Sequence, residues 1–252
     1  MRLLTLARDL RRRKARERQQ LFVAEGLRTV EELLDAKLAV HGVLGTPELT
    51  RSPRGAALLA AVHTRGIPYL EVSDAEFASA ADTETPQGVL AIAPVPARTL
   101  ERLTLGASAR VLVLDSVQDP GNVGTILRTA AALGVAGTVA LPGTVDLWNA
   151  KVVRSAMGSL FRHHALACPT EALVAWLHAH HTPLWGADMH GDPVSATGAP
   201  DRLALAVGNE GAGLTAPVRA AAARLVSIPI ASTVESLNVA VATGILLHQL
   251  RP

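Results

Sequence analysis

Cysteine is nearly absent from this sequence. Cys168 stands alone, so the chain can form no internal disulfide and no cysteine-based zinc site, and a reducing cytoplasm suits it. Aromatic residues are almost as scarce, at 3% of 252 residues. The core must therefore be built from alanine, leucine and valine, and platforms for stacking bases are few. Any contact with nucleic acid has to lean on charge. Long apolar runs are missing too: the longest uncharged stretch, Thr129 to Val145, is interrupted by Gly134, Gly137, Pro142 and Gly143. It reads as a helix end, a strand and a turn, not as a membrane span. The basic amino terminus is followed by neither an apolar core nor a small-residue cleavage site, so no secretory signal is expected.

What the chain does have is 49% hydrophobic residues, enough for a substantial core in one large domain or two modest ones. Its formal charge of +2 is unevenly spread. Residues 1–20 hold eight basic side chains against Asp9 and Glu17, so +6 sits there and −4 in the remainder. Arg8, Arg11, Arg12, Arg13, Lys14, Arg16 and Arg18 in this cluster are candidate phosphate contacts, because a guanidinium offers a flat fork of donors. A solubilising helix face is the plainer alternative.

Two halves are expected, 1–95 and 109–252, joined by a linker over 96–108 that has no sustained apolar period. In the first half, apolar runs at Leu21–Ala24, Val40–Leu44, Pro68–Val72 and Val89–Ala93 alternate with helical segments at Leu27–Lys37 and Arg54–Arg65. That predicts a small α/β domain preceded by a basic helix. In the second half, aliphatic runs at Val111–Leu114, Val139–Leu141 and Leu203–Val207 read as parallel strands buried on both faces. Helices are expected over Asn122–Leu133, Asn149–Ser159, Glu171–His181 and Leu237–Leu250, giving an open parallel sheet with helices on both sides.

Three segments of the second half share a design, an apolar strand running into a turn rich in Gly, Asn, Pro or Ser, where ligands bind in α/β sheets. The first spans Val111 to Arg128; Gly121 and Gly124 allow close backbone approach, Asn122 can cap the following helix, and Arg128 lies six residues on. The second, Leu203 to Leu214, ends its strand at Val207 in Gly208-Asn209-Glu210-Gly211. It is not a G-x-G-x-x-G turn and no phosphate-binding lysine follows, so neither a dinucleotide fingerprint nor a P-loop is supported. The third, Val226 to Ile245, contains Ile228-Pro229 and Ser236-Leu237-Asn238-Val239, with Ser236 at an expected N-cap and Asn238 two residues into an aliphatic helix. Each segment alone also reads as ordinary capping.

Together and in this order, N-x-G-x-x-x-R at Asn122–Arg128, G-N-E-G at Gly208–Gly211, and I-P followed by S-L-N-V resemble the SpoU-type 2′-O-ribose RNA methyltransferases of the SPOUT superfamily. The first half, with Phe22-Val-Ala-Glu-Gly26, resembles the ribosomal-protein-like RNA-binding domain that precedes this catalytic domain in many members, although Ala24 stands where valine is frequent. The resemblance implies a Rossmann-like parallel sheet tied in a trefoil knot, a fold that periodicity would not suggest. It also implies S-adenosylmethionine as cofactor, held at Val207, Gly208, Asn209, Gly211, Ile228, Pro229 and Leu237, and a homodimer packed through the second domain. The implied catalytic set is Asn122, Arg128, Glu210, Ser236 and Asn238, acting on ribosomal RNA ahead of transfer RNA.

A guanidinium stays protonated, so Arg128 is better suited to hold a phosphate and steady a developing alkoxide than to act as base. Glu210 is the more basic group, and orienting Arg128 or Asn122 is its other available role. His178, His180, His181, His163 and His164 lack a completing carboxylate or cysteine at ligand spacing and are expected on the surface. Two rivals are a non-catalytic RNA-binding protein, for which Arg128 and Glu210 would be superfluous, and a Rossmann oxidoreductase, for which the fingerprint is missing.

Overall fold

The computed structural model describes residues 2–196 and 198–251. The chain forms two compact units, one made of residues 1–97 and 148–162, the other of 98–147 and 163–252.

The first unit opens with two short helices, α1 (Leu3–Leu10) and α2 (Arg13–Gln19), in place of the single basic helix expected. Arg12 is extended between them, and Gln20 ends α2 in left-handed backbone at φ 53°. α1 buries Leu6, Ala7 and Leu10, whereas α2 has one apolar residue to bury, Ala15. Arg16 closes the corner: it is buried, and its Nη1 donates to the carbonyls of Leu10 and Arg11 at 2.9 Å each.

There follow β1 (Leu21–Glu25), α3 (Leu27–Asp35), β2 (Gly42–Gly45), α4 (Pro53–Thr64), β3 (Tyr69–Glu71), α5 (Asp74–Ala80) and β4 (Val89–Pro94). The sheet order is β1-β4-β2-β3, with β4 antiparallel to both neighbours and β2 parallel to β3. α5 was not anticipated. A capping box starts it, Glu76 N–H donating to Ser73 Oγ at 3.3 Å and Ser73 N–H to the Glu76 carboxylate at 3.0 Å. Its Phe77 and Ala80 join Leu6, Leu10, Val23, Leu44, Leu90 and Ile92 in the core.

The second unit begins with β5 (Ala109–Leu114), α6 (Pro120–Ala132) and β6 (Gly137–Ala140). The chain then contributes α7 (Ala150–Ser155) and α8 (Ser159–Arg162) to the first unit. One helix was expected here; it is split because Met157 and Gly158 both take positive φ, 50° and 85°. Phe22 of β1 receives this segment, its ring centroid 4.5 Å from Trp148 and 5.8 Å from Phe161.

The second unit resumes with β7 (Ala165–Ala167), α9 (Thr170–Ala179), β8 (Leu184–Pro193), β9 (Arg202–Val207), α10 (Ala216–Ala221), β10 (Arg224–Ser227) and α11 (Val239–Gln249). All six strands are parallel, in the order β10-β8-β9-β5-β6-β7. β5 is buried along its whole length and β9 along all but its first residue, as the aliphatic runs required. The order is not that of a simple doubly wound sheet, since β9 and not β8 lies beside β5. Leu100 and Leu103, from the 96–108 stretch, pack into this unit's core with Val111, Val139, Ala204 and Trp176.

Of the histidines expected on the surface, His163 is buried, its Nε2 2.8 Å from Thr138 Oγ1. Burial, with Arg98 and His164 adding repulsion, pushes its pKa down to about 4, so it is neutral. Among the described residues, no cluster of three His, Cys, Asp or Glu is placed to hold a metal, and no helix is long and apolar enough to cross a membrane.

Candidate functional site

β5 and β9 are neighbours, and the loops that leave their carboxyl ends are bolted together. Asp115, the first residue past β5, is buried and accepts from the N–H of Thr215 at 2.6 Å and from its hydroxyl at 3.1 Å. That fixes the far end of the loop leaving β9. Ser116 follows in left-handed backbone, φ 60°, and its carbonyl accepts from Asn209 Nδ2 at 3.0 Å. Asn209 also shapes its own loop: Oδ1 accepts from Gly211 N–H at 3.0 Å and Ala212 N–H at 2.9 Å, and its backbone exchanges two 2.9 Å bonds with Gly213. The turn is so tight that a Cβ on Gly208 would run into the backbone of Gly213 and Leu214, which is why glycine stands there. Gly211 is not so confined; a Cβ there would meet only Asn209 Oδ1, in ordinary contact at 3.8 Å.

The helix starts differ from expectation. Asp119, not Asn122, caps α6, its Oδ1 accepting from Asn122 N–H at 2.7 Å with Pro120 in the first turn. Asn238, not Ser236, caps α11, its Oδ1 accepting from Ala240 N–H at 2.9 Å and Val241 N–H at 3.3 Å. Ser236 lies in the preceding loop, exposed, with no hydrogen-bond partner among the described residues.

Relieved of capping α6, the Asn122 side chain joins the three loops. Its Nδ2 donates to Glu210 Oε1 at 3.1 Å, and its Oδ1 accepts from Asn238 Nδ2 at 3.0 Å. Glu210 further accepts from the backbone N–H groups of Gln118 at 3.3 Å and Asp119 at 3.2 Å. Partial burial alone would raise the Glu210 pKa, but the bonds from Asn122 and these backbone groups outweigh it and hold the carboxyl below its usual range. Such a carboxylate organises the loops and is a weakened proton acceptor.

Arg128 stands outside this set. It is exposed on α6, without an ion pair or hydrogen bond among the described residues. Six residues past Asn122 on a helix places it about 9 Å along the axis and about 120° around it. Glu210 therefore orients Asn122 and not Arg128. α6 and α11 lie close, with room for a Cβ on Gly244 only 3.6 Å from Thr129. Of the other residues singled out on these loops, Val207 is buried, Gly208, Asn209, Ile228 and Leu237 are half-buried, and Gly211 and Pro229 are exposed. Glycines and aliphatic side chains, without a phosphate-binding lysine, suit an uncharged adenosine more than a dinucleotide. Sequence reasoning missed Asp115, whose position directly after a buried strand was its only signal.

The basic residues of the amino terminus are largely engaged inside the first unit. Arg8 and Arg11 reach Ser79, Arg12 and Arg18 share Asp9, Arg13 pairs with Glu17 at 2.7 Å, and only Arg2 and Lys14 have no side-chain partner among the described residues.

Comparison with known proteins agrees with this geometry. Residues 109–248 match the SpoU rRNA Methylase family model, and residues 5–91 match the MRM3-like substrate binding domain. The chain is 35% identical to the 23S rRNA (guanosine(2553)-2′-O)-methyltransferase RlmP of Bacillus subtilis, covering 96% of this chain and 93% of that relative. It is 33% identical to a 23S rRNA (uridine(2479)-2′-O)-methyltransferase of Streptomyces viridochromogenes, over 94% of this chain and 84% of the relative. Among solved structures, the AdoMet-bound rRNA methyltransferase from Sinorhizobium meliloti superposes with a TM-score of 0.86 at 30% identity, covering 99% of this chain and 94% of that one. The SpoU methyltransferase AviRb from Streptomyces viridochromogenes with AdoMet gives 0.89 at 28% identity, with 98% and 96% covered.

Proposed function

The chain belongs to the SpoU rRNA methylase family, and on that footing we propose that it transfers a methyl group from S-adenosylmethionine to a ribose 2′-hydroxyl of 23S ribosomal RNA. The observation that carries this reading is the hydrogen-bonded line Asn238–Asn122–Glu210, which draws three loops together at the carboxyl ends of the parallel sheet. A binding module would need no such convergence. Val207, Gly208, Asn209, Gly211, Ile228, Pro229 and Leu237 would hold the cofactor through backbone groups and aliphatic side chains. When bound, the sulfonium supplies an electrophilic methyl.

The protein must then position the ribose and favour loss of the hydroxyl proton. Arg128 is free and permanently charged, so its fork is available to the phosphate beside the target ribose and to the charge developing on the 2′-oxygen. Glu210 is committed to three N–H donors and holds Asn122, which ties the turn at Gly208 to the cap of α11. Ser236, exposed one residue from Leu237, completes the polar set. The first unit would dock the RNA; the exposed Arg8, Arg11, Arg12, Arg13 and Arg18 would exchange their present partners for phosphates, and Lys14 has none to give up. A trefoil knot in the second unit accords with a strand order in which β9 intervenes between β8 and β5. Val241, half-exposed on an aliphatic α11, supports a homodimer through this unit.

The test is transfer of labelled methyl from S-adenosylmethionine to unmodified 23S ribosomal RNA and, separately, to transfer RNA, followed by digestion to nucleosides. A labelled 2′-O-methylnucleoside from the 23S pool is expected. Label in transfer RNA alone, or on a base, contradicts the reading.

A further inference from the structure

A cleft of about 660 Å³ in the first unit has no role so far. It opens where β1 turns into α3 at Glu25-Gly26-Leu27 and is lined on its charged side by Arg28, Arg54 and Arg154. We propose that this cleft seats the sugar–phosphate backbone of one nucleotide of the substrate RNA, with Arg28 and Arg154 as its phosphate contacts. This rests on the reading that the protein acts on RNA.

Charge is the first argument. Arg28 is exposed and unpaired among the described residues. Arg154 comes from α7, and its Nη1 is buried without a hydrogen-bond partner, while Glu25 is 3.9 Å away and Asp82 is 3.5 Å from Nη2. Glu25 accepts from Asp82 N–H at 2.7 Å and from the Thr83 hydroxyl but keeps its charge beside Arg154, whereas Glu48 pairs with Arg51 at 2.6 Å and Arg54 with Glu31 at 2.5 Å. Arg28 is thus left unpaired at the cleft and Arg154 keeps one unused donor nitrogen beside its ion pairs, whereas the arginines of α1 and α2 are mostly bound to Asp9, Glu17, Ser79 and carbonyls. An unsatisfied guanidinium nitrogen is costly without an anion to receive it.

The backbone makes the second argument. Gly26, at φ 96°, leaves α3 without a side-chain cap and without an acid in its first turn. Gln87 Oε1 takes the N–H of Leu27 at 3.0 Å, and the next two residues at this positive end of the helix dipole, Arg28 and Thr29, also line the cleft. The remaining lining is mostly hydroxyl and amide, Ser52, Thr83, Thr85 and Gln87, with Leu27, Leu49 and Met157 the apolar members. That composition fits a ribose and its phosphate better than an apolar ligand. Because α7 follows β6 in sequence, the catalytic half of the chain supplies one of the two phosphate contacts itself.

The test measures binding of an unmodified 23S ribosomal RNA transcript by the full chain across a salt series, for Arg28→Glu, Arg154→Gln and the control Lys37→Glu, an exposed cation that does not line the cleft. Each cleft variant is expected to bind about tenfold more weakly with a salt slope lower by about one, while its affinity for S-adenosylmethionine stays at the wild-type value. Wild-type binding by both cleft variants, or a loss no larger than that of Lys37→Glu, overturns the proposal, as does a wild type that does not bind the transcript. Arg28 is exposed, so its variant folds and decides the matter even if Arg154→Gln does not. A wild type that binds the transcript but transfers no methyl sinks the catalytic reading, and the salt series still judges the cleft.

Discussion

Glu210 is bound into the loop network, whereas Arg128 stands free of it. Glu210 accepts on both carboxylate oxygens, from Asn122 and Asp119 on one and Gln118 on the other. A glutamine there must turn its amide donors toward one of those N–H groups. Glu210→Gln is therefore expected to loosen the loops, seen as a lower melting temperature at neutral pH. A carboxyl held below its unfolded value, about 4.3, contributes stability above that range and loses it as pH falls through the lower folded value. The gap between wild type and Glu210→Gln should accordingly close in acid; a gap that persists unchanged at pH 3 would show that the charge is not what stabilises. The Glu210–Asn122 bond spans 88 residues, so no local spacing could announce it.

At the scale of elements, the start of α11 serves two ends at once. Asn238 Oδ1 caps the helix and Nδ2 holds Asn122, so the two roles can be separated by chemistry. Asn238→Ala removes both and should cost about 1 kcal/mol of stability through the cap alone. Asn238→Asp keeps the accepting oxygen and loses the donor. It is expected to melt close to wild type yet transfer methyl more slowly; wild-type turnover in Asn238→Asp would show that the link to Asn122 is dispensable. The buried strands β5 and β9 were legible because continuous aliphatic runs leave no other reading. β7 and β8 were not, the first being three residues long and the second carrying Asp188, His190, Gly191 and Asp192. The two caps were misplaced by position, although Asp119 before Pro120 was readable as a helix start.

For the whole molecule, the amino terminus is more than a charged arm. Leu6 and Leu10 are core residues, and burying each is worth about 1.5–3 kcal/mol. Deleting residues 2–18 is therefore expected to unfold the first unit, read as a loss of cooperative melting, and not simply to weaken RNA binding; an intact melt in the truncated chain would contradict this. Composition suggested two halves divided at 96–108, and the chain forms two units that do not follow that single boundary. The return of residues 148–162 to the first unit was not legible, because it depends on Phe22 meeting Trp148 and Phe161 across more than a hundred residues of chain. The central claim is that Arg128 acts on the reacting ribose from outside the network that shapes the cofactor loops. Single-turnover methyl transfer to a 23S transcript by Arg128→Ala, with cofactor affinity measured alongside, tests it most directly. The account predicts a fall of about 10²–10³-fold in rate with cofactor affinity within about twofold of wild type. Near-normal transfer, or cofactor affinity lost in step with the rate, would contradict it.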